Sequence, residues 1–255
     1  MIKPKENIKF VKSLVPSVFA LVVIWSVFLA EKLLPFTFVK YGILPRNLLG
    51  LRGIVLSPVI HGDLNHIAGN SIPLAVALFY LFIFYRELFF KVLFWSILMT
   101  GFWVWTSARE SYHIGASGVI YSLLSFLFFS GLIRRHRSLM VVSLTVAFLY
   151  GSFVWGIFPI EDKVSWESHA LGAMSGAVLA LYYRKIGYQR IPNAWEGMSE
   201  EEYLADNIRQ YGDFYWDPVK QRQLQQEMEE KASNSYPEYK VYYHFIPETR
   251  NQDDK

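Results

Sequence analysis

Ser117 stands in Gly115-Ala116-Ser117-Gly118, a small-residue turn at the mouth of an apolar run that reaches to about Ile133. A run this apolar has little need for a hydroxyl at its opening. The flanking glycines allow a tight backbone and close approach of other groups to the serine. In the first turn of a helix, Ser117 sits among N–H groups that lack intrahelical partners, where the helix dipole favours negative charge. That is a setting for a nucleophile and for the oxyanion its attack creates. Taken alone, the tetrapeptide is more simply a helix contact, because small residues are common where membrane helices pack.

The other polar residues of the apolar region bear on the choice. They are His61, His66 and Asn70 in His61-Gly-Asp-Leu-Asn-His66-Ile-Ala-Gly-Asn70, and His169 after Ser168. Asp63 is a suitable N-cap for a helix beginning there, which sets His66 and Asn70 four apart on one face and His61 just ahead. A serine nucleophile needs a base, and His169 stands on another segment's opening turn, as the His61/His66 pair does. An oxyanion needs donors, and the Asn70 amide, His66 and the Ser117 N–H are candidates. No carboxylate is placed to orient His169; Glu161, Asp162 and Glu167 read as solvated loop residues. The economical expectation is a Ser-His dyad with no metal and no cofactor. Tyr121, one turn on from Ser117, either stacks on an imidazole or packs in the core. Gly172 and Gly176, spaced Gly-x-x-x-Gly, let the last apolar segment approach the Ser117 segment, which offers Gly118, Ser122 and Ser125 in return.

The elements that must position these residues are legible from composition. The 255 residues are 53% hydrophobic and 17% aromatic, and the mean hydropathy is +0.21. The apolar residues form blocks near spanning length that lack the alternation of a soluble core. The fold class expected is all-α, a polytopic membrane protein with six transmembrane helices. The spans fall near 13–30, 63–85, 92–106, 117–133, 139–158 and from Ser168-His169 to about 185. The first block is longer than a signal-peptide core, and Phe28-Leu29-Ala30-Glu31 is a poor cleavage site, so it reads as a retained span with Pro16 in its first turn. Residues 31–60, with Pro35, Pro45 and Pro58, read as an interfacial, partly inserted loop. The domains expected are a basic N-terminus (1–12), a six-helix membrane domain (13–185) and a soluble tail (186–255). Absence of cysteine excludes disulfides and a thiol nucleophile.

The net charge of +3 says less than its distribution. Lys3, Lys5, Lys9, Lys12, Arg86, Lys91, the Arg134-Arg135-His136-Arg137 cluster, Arg184, Lys185 and Arg190 fall on one side of a six-span layout. Lys32, Lys40, Arg46, Arg52, Arg109 and Lys163 fall on the other, so both termini are expected in the cytoplasm. Spans two, four and six then begin at the outer face and carry His66, Asn70, Ser117 and His169 to one depth. A single intramembrane histidine is most simply an inter-helix hydrogen bonder, but several polar groups at one depth point to function. A transporter would spread such groups through the membrane and show internal repeats, and neither is present. A zinc protease is a poorer match, since His61 and His66 are five apart and no His-Glu-x-x-His occurs.

His61-x4-His66-x3-Asn70, Gly115-x-Ser117-Gly118 with Tyr121 four residues on, and His169-x2-Gly172-x3-Gly176 together resemble the rhomboid intramembrane serine proteases in their six-span form. The resemblance covers about residues 10–185. It implies Ser117 as nucleophile, His169 as base, His66 and Asn70 at the oxyanion hole, Tyr121 packed on His169, and His61 as a supporting residue. The family's first outer loop often carries a Trp-Arg pair; here Leu51-Arg52 stands nearby, keeping Arg52 without the tryptophan. The substrates implied are single-span transmembrane proteins within a lipid bilayer, cut near the outer face, with no nucleic-acid partner. The location implied is a bacterial plasma (inner) membrane. Dead relatives that escort membrane clients lack the serine or histidine, and both are present here.

In the tail, Ser199 and Glu202 read as a capping box opening a helix through about Arg209, and 221–231 as a polar helix. The aromatic residues Tyr211, Phe214, Tyr215 and Trp216 fit either a membrane-surface contact or local packing.

Overall fold

The structure is a computed structural model that describes residues 4–160, 165–189, 199–211 and 217–235. The chain divides into two compact units, Met1–Ile191 and Pro192–Lys255. The first unit holds helices α1 (Pro4–Leu33), α2 (Gly53–Leu56), α3 (Leu64–Phe84), α4 (Phe89–Ser107), α5 (Ser117–Arg134), α6 (Arg137–Tyr150) and α7 (Trp166–Tyr182). Among the described residues there is no strand, only an isolated antiparallel bridge between Ile43 and His113. Five helical stretches, including 137–157, are long and apolar enough to cross a membrane. The protein is an integral membrane protein built of helices.

α5 is the axis of the unit. It packs most extensively on α7 and also contacts α3, α4 and α6. Its buried share, 61%, exceeds that of the other four long apolar stretches, the next being α3 at 39%. Ile120, Leu123, Phe126 and Leu127 are fully buried around it. A helix apolar on every face belongs in the middle of such a bundle.

The α5–α7 contact depends on missing side chains. A Cβ at Gly172 would collide with the Gly118 carbonyl, and one at Gly176 with the Ser122 carbonyl. With the backbones this close, hydroxyls bond across helices. Thr100 Oγ1 lies 2.9 Å from Ser175 Oγ, Ser175 Oγ is 2.7 Å from Ser122 Oγ, and Ser122 Oγ is 2.8 Å from Ser96 Oγ. This fully sheltered chain joins α4, α5 and α7, and satisfies hydroxyls that would be costly to leave unpaired in an apolar interior.

Three expectations change here. α1 begins at Pro4, so Pro16 lies inside the helix rather than in its first turn; it leaves the Lys12 carbonyl without its usual donor. The expected fifth span is an α-helix only to Tyr150, and 151–157 tightens into a 3₁₀-helix. The loop 31–60 is a run of short helical turns at 39–41, 48–52, 53–56 and 57–59, with Leu48 and Leu49 strongly exposed. Of the acidic loop residues, Glu161 and Asp162 lie outside the described residues.

In the second unit, α8 (Glu200–Tyr211) opens with a reciprocal cap. The Glu202 N–H donates to Ser199 Oγ at 3.2 Å, and the Ser199 N–H donates to Glu202 Oε2 at 2.9 Å. α9 (Pro218–Ser235) starts behind Asp217, whose carboxylate accepts from the Val219 and Lys220 N–H groups. Phe214, Tyr215 and Trp216 of the aromatic cluster lie outside the described residues.

Candidate active site

Ser117 is the first residue of α5, and the Ala116 position ahead of it offers no side-chain cap. The opening N–H groups of α5 are therefore not taken by a capping side chain. Gly115 has φ +103°, which an L side chain rarely adopts, and a Cβ there would collide with His66 Nε2 and sit 3.5 Å from Asn70 Nδ2. Only glycine lets His66 and Asn70 come up beside the serine's approach. Asp63 caps α3 by accepting from the His66 N–H at 2.9 Å, which sets His66 and Asn70 on one face. Among the described residues the buried Asn70 amide nitrogen has no acceptor, an orphan donor of the kind that usually has a reason.

His169 is buried in the first turn of α7. Its Nε2 lies 2.8 Å from Ser117 Oγ, and its Nδ1 lies 2.9 Å from the Gly156 carbonyl oxygen. A carbonyl only accepts, so Nδ1 carries the proton and Nε2 presents its lone pair to the serine hydroxyl. That is the tautomer a general base needs. The ring is flanked by Tyr121, stacked at 4.3 Å between centroids and 7° between planes. Tyr121 is itself held by its hydroxyl, which donates to the Phe153 carbonyl at 2.8 Å, and by stacking with the Phe153 ring. A Cβ at Gly156 would collide with the Tyr121 hydroxyl and stand 3.2 Å from His169 Nδ1.

The 3₁₀ stretch 151–157 thus supplies two carbonyls, Phe153 for the tyrosine and Gly156 for the histidine. Neither was foreseen, because a backbone carbonyl has no residue-type signature. The one cue is a glycine at 156 amid Phe153, Val154, Trp155 and Ile157.

His61 is fully buried, with its ring 5.0 Å from that of His66, and the Ala116 N–H approaches its Nε2 at 3.5 Å. Burial first, then the neighbouring imidazole, push His61 from 6.5 down to about 4, against the raising effects of the Val59 backbone and Asp63. The unfolded chain then binds a proton that the folded one refuses between about pH 6.5 and 4, so stability is full above that window and falls through it. The loss amounts to at most about 3 kcal/mol. Thermal midpoints in detergent should fall from pH 7 to 4.5, and His61→Gln should flatten part of that slope; equal slopes would remove His61 as a contributor.

Arg52 is not brought to the dyad. Its guanidinium lies over the Tyr41 ring at 4.5 Å, and Nη2 donates to the Lys40 carbonyl at 3.0 Å, so it braces the loop between α1 and α3. Glu167, read as solvated, is instead buried in α7 and paired with Arg109 Nε at 3.4 Å. The helix turns it inward, whereas spacing alone grouped it with the loop acids. Among the described residues, no group of three His, Cys, Asp or Glu side chains could hold a metal ion.

Residues 50–186 match the family model described as Rhomboid domain. This chain belongs to the rhomboid family. The match takes in every helix that carries a site residue. Curated relatives include an uncharacterized protein of Mycobacterium bovis and one of Mycobacterium tuberculosis. Each is 32% identical over 148 residues, covering 54% of this chain and 62% of the relative. An uncharacterized protein of Mycobacterium leprae is 32% identical over 139 residues, covering 51% of this chain and 55% of that one. The chain thus spans less than two thirds of the length of these relatives. Rhomboid membership marks it as an integral membrane protein of a family of intramembrane proteases.

Proposed function

We propose that this rhomboid protein is an intramembrane serine endopeptidase that cuts single-span membrane proteins with Ser117 and His169. The observation that carries the reading is the 2.8 Å contact from His169 Nε2 to Ser117 Oγ, with the histidine's tautomer set by the Gly156 carbonyl. In acylation, Ser117 Oγ attacks the scissile carbonyl carbon as its proton passes to His169 Nε2. The carbonyl electrons move onto oxygen, and the Ser117 N–H, the Asn70 amide and His66 receive that charge. His169 then gives its proton to the leaving amine as the C–N bond breaks. Water, deprotonated by His169 in turn, hydrolyses the acyl ester and restores the serine. Tyr121 keeps the imidazole in plane throughout.

α7, 17 residues long, is taken as the sixth span beside the five long apolar stretches. The excess of Lys and Arg on one side of this layout supports both termini and the tail on the cytoplasmic side, with the site open toward the outer face; the resemblance to the family supports a bacterial plasma (inner) membrane. The substrate helix is expected to yield near its outer end, where small or helix-breaking residues free a peptide bond for attack.

The test is purified protein in detergent with a single-span substrate, the products sized by mass spectrometry. Cleavage near the outer end of the substrate helix is expected; a cut at its cytoplasmic end would reverse the orientation. Asn70→Ala should lower turnover by about 10²-fold or less, because losing one oxyanion donor costs roughly 10²–10³ and two donors remain. An unchanged rate would remove Asn70 from the oxyanion hole.

A further inference from the structure

We infer that His113, Ser165 and Ser168 form an outer clasp that ties the segment bearing Ser117 to the first turn of the helix bearing His169, and so positions the dyad. His113 lies four residues before Ser117, is 3% exposed, and is fixed by backbone bonds in both directions with Ile43. Its Nε2 is 3.0 Å from the Arg109 carbonyl oxygen and its Nδ1 is 2.5 Å from Ser165 Oγ. Ser165 Oγ is in turn 2.6 Å from Ser168 Oγ, next to His169.

The direction of this chain follows from donors and acceptors. The Arg109 carbonyl can only accept, so the proton sits on Nε2 of a neutral ring, and Nδ1 accepts from the Ser165 hydroxyl. Ser165 has spent its one proton, so Ser168 donates to Ser165. Burial, with the Arg109 side chain, favours this neutral ring, while the Arg109 carbonyl and Glu167 act the other way. Ser165 occupies the N-cap position of α7, yet its side chain caps no N–H. Its hydroxyl serves the clasp instead. Its backbone carbonyl still accepts from the His169 N–H at 3.3 Å, so the residue His113 grips also supports the base's own turn. The Arg109–Glu167 pair joins the same loop to the same turn of α7.

The consequence is local. Gly118 and Ser168 meet where α5 and α7 begin, with the Ser168 carbonyl 3.2 Å from where a Gly118 Cβ would lie. Without the clasp, the opening turn of α7 loses its tie through Ser165 and Ser168 and keeps the partly exposed Arg109–Glu167 pair, the glycine contacts and the hydroxyl chain. The Ser117–His169 distance then widens at the outer edge first.

This positioning role rests on the protease reading, and the test separates the two. Ser165→Ala removes the middle link at little structural cost, since no cap is lost. His113→Phe removes the ring nitrogens, and His113→Asn returns an acceptor near Nδ1. The readouts are kcat and KM on one transmembrane substrate, and hydrogen exchange of the amides of 166–172. Ser165→Ala and His113→Phe should lower kcat about tenfold with KM unchanged, a modest share of what ~1 Å of misplacement costs. Exchange at 166–172 should rise in both, the double variant should be no slower than either, and His113→Asn should recover most of the loss. Unchanged kcat and exchange in Ser165→Ala would overturn the clasp, as would a His113→Phe loss that Asn does not recover. If Ser165→Ala raises exchange at 166–172 while the unaltered protein cuts no substrate, the protease reading and the catalytic role fall together, with the physical link standing apart.

Discussion

Ser117→Ala and His169→Ala should each abolish proteolysis, lowering turnover by at least about 10³-fold while leaving a folded membrane protein. The serine variant has no nucleophile. The histidine variant keeps the hydroxyl but has nothing at 2.8 Å to take its proton. Because the two act as one unit, the double variant should be no slower than either single one. Covalent labelling by a fluorophosphonate, which needs the same activated hydroxyl, should vanish in step with cleavage. Folding is less at risk for Ser117→Ala, since the residue is half-buried and, among the described residues, its hydroxyl bonds to the imidazole. His169→Ala empties the space beside Tyr121, so His169→Asn serves as its less disruptive companion. Undiminished cleavage by either Ser117→Ala or His169→Ala would end the dyad reading.

How much of this was legible in the sequence varies with the kind of group involved. Ser117, His66, Asn70 and His169 were legible because polar side chains are conspicuous in apolar runs, and their spacing is helical. Gly172 and Gly176 were legible because side chains that are absent leave a pattern. The carbonyls of Phe153 and Gly156 were not, since every residue has one and only the chain's path aims it. His113 was missed for a different reason. It lies in a polar turn between apolar runs, where a histidine is unremarkable until the fold seats it against Ser165. Glu167 shows the opposite error. It follows closely on the charged run Glu161-Asp162-Lys163, but helix α7 starts one residue before it and rotates the carboxylate toward Arg109. The short turns of the segment 34–60 were not legible, because they depend on contacts such as Arg52 over Tyr41.

The second large effect is expected at Gly172, which touches no substrate. Gly172→Val should cost activity about 10²-fold or more and also lower the thermal midpoint. A Cβ there meets the Gly118 carbonyl directly, and backbone does not yield as a flexible side chain does. Valine's branch adds bulk in the same place, and overpacking of this sort costs typically 1–3 kcal/mol. The geometric consequence outweighs the energetic one. Gly172 is three residues from His169 and Gly118 follows Ser117, so the obstruction falls one turn from the reacting atoms. Pushing α7 off α5 there lengthens the 2.8 Å contact, and ~1 Å of misplacement costs on the order of 10²-fold. Leu181→Val makes the control: it is also on α7 but exposed, so rate and stability should hardly change. The comparison to make is cleavage rate at a temperature well below the melting of each variant. If Gly172→Val is stable there and cleaves as fast as wild type, the close approach of α5 and α7 is not what sets the dyad. If it loses rate while still folded, the helix contact is part of the catalytic geometry, because the base is held at its distance by the absence of a side chain one turn away.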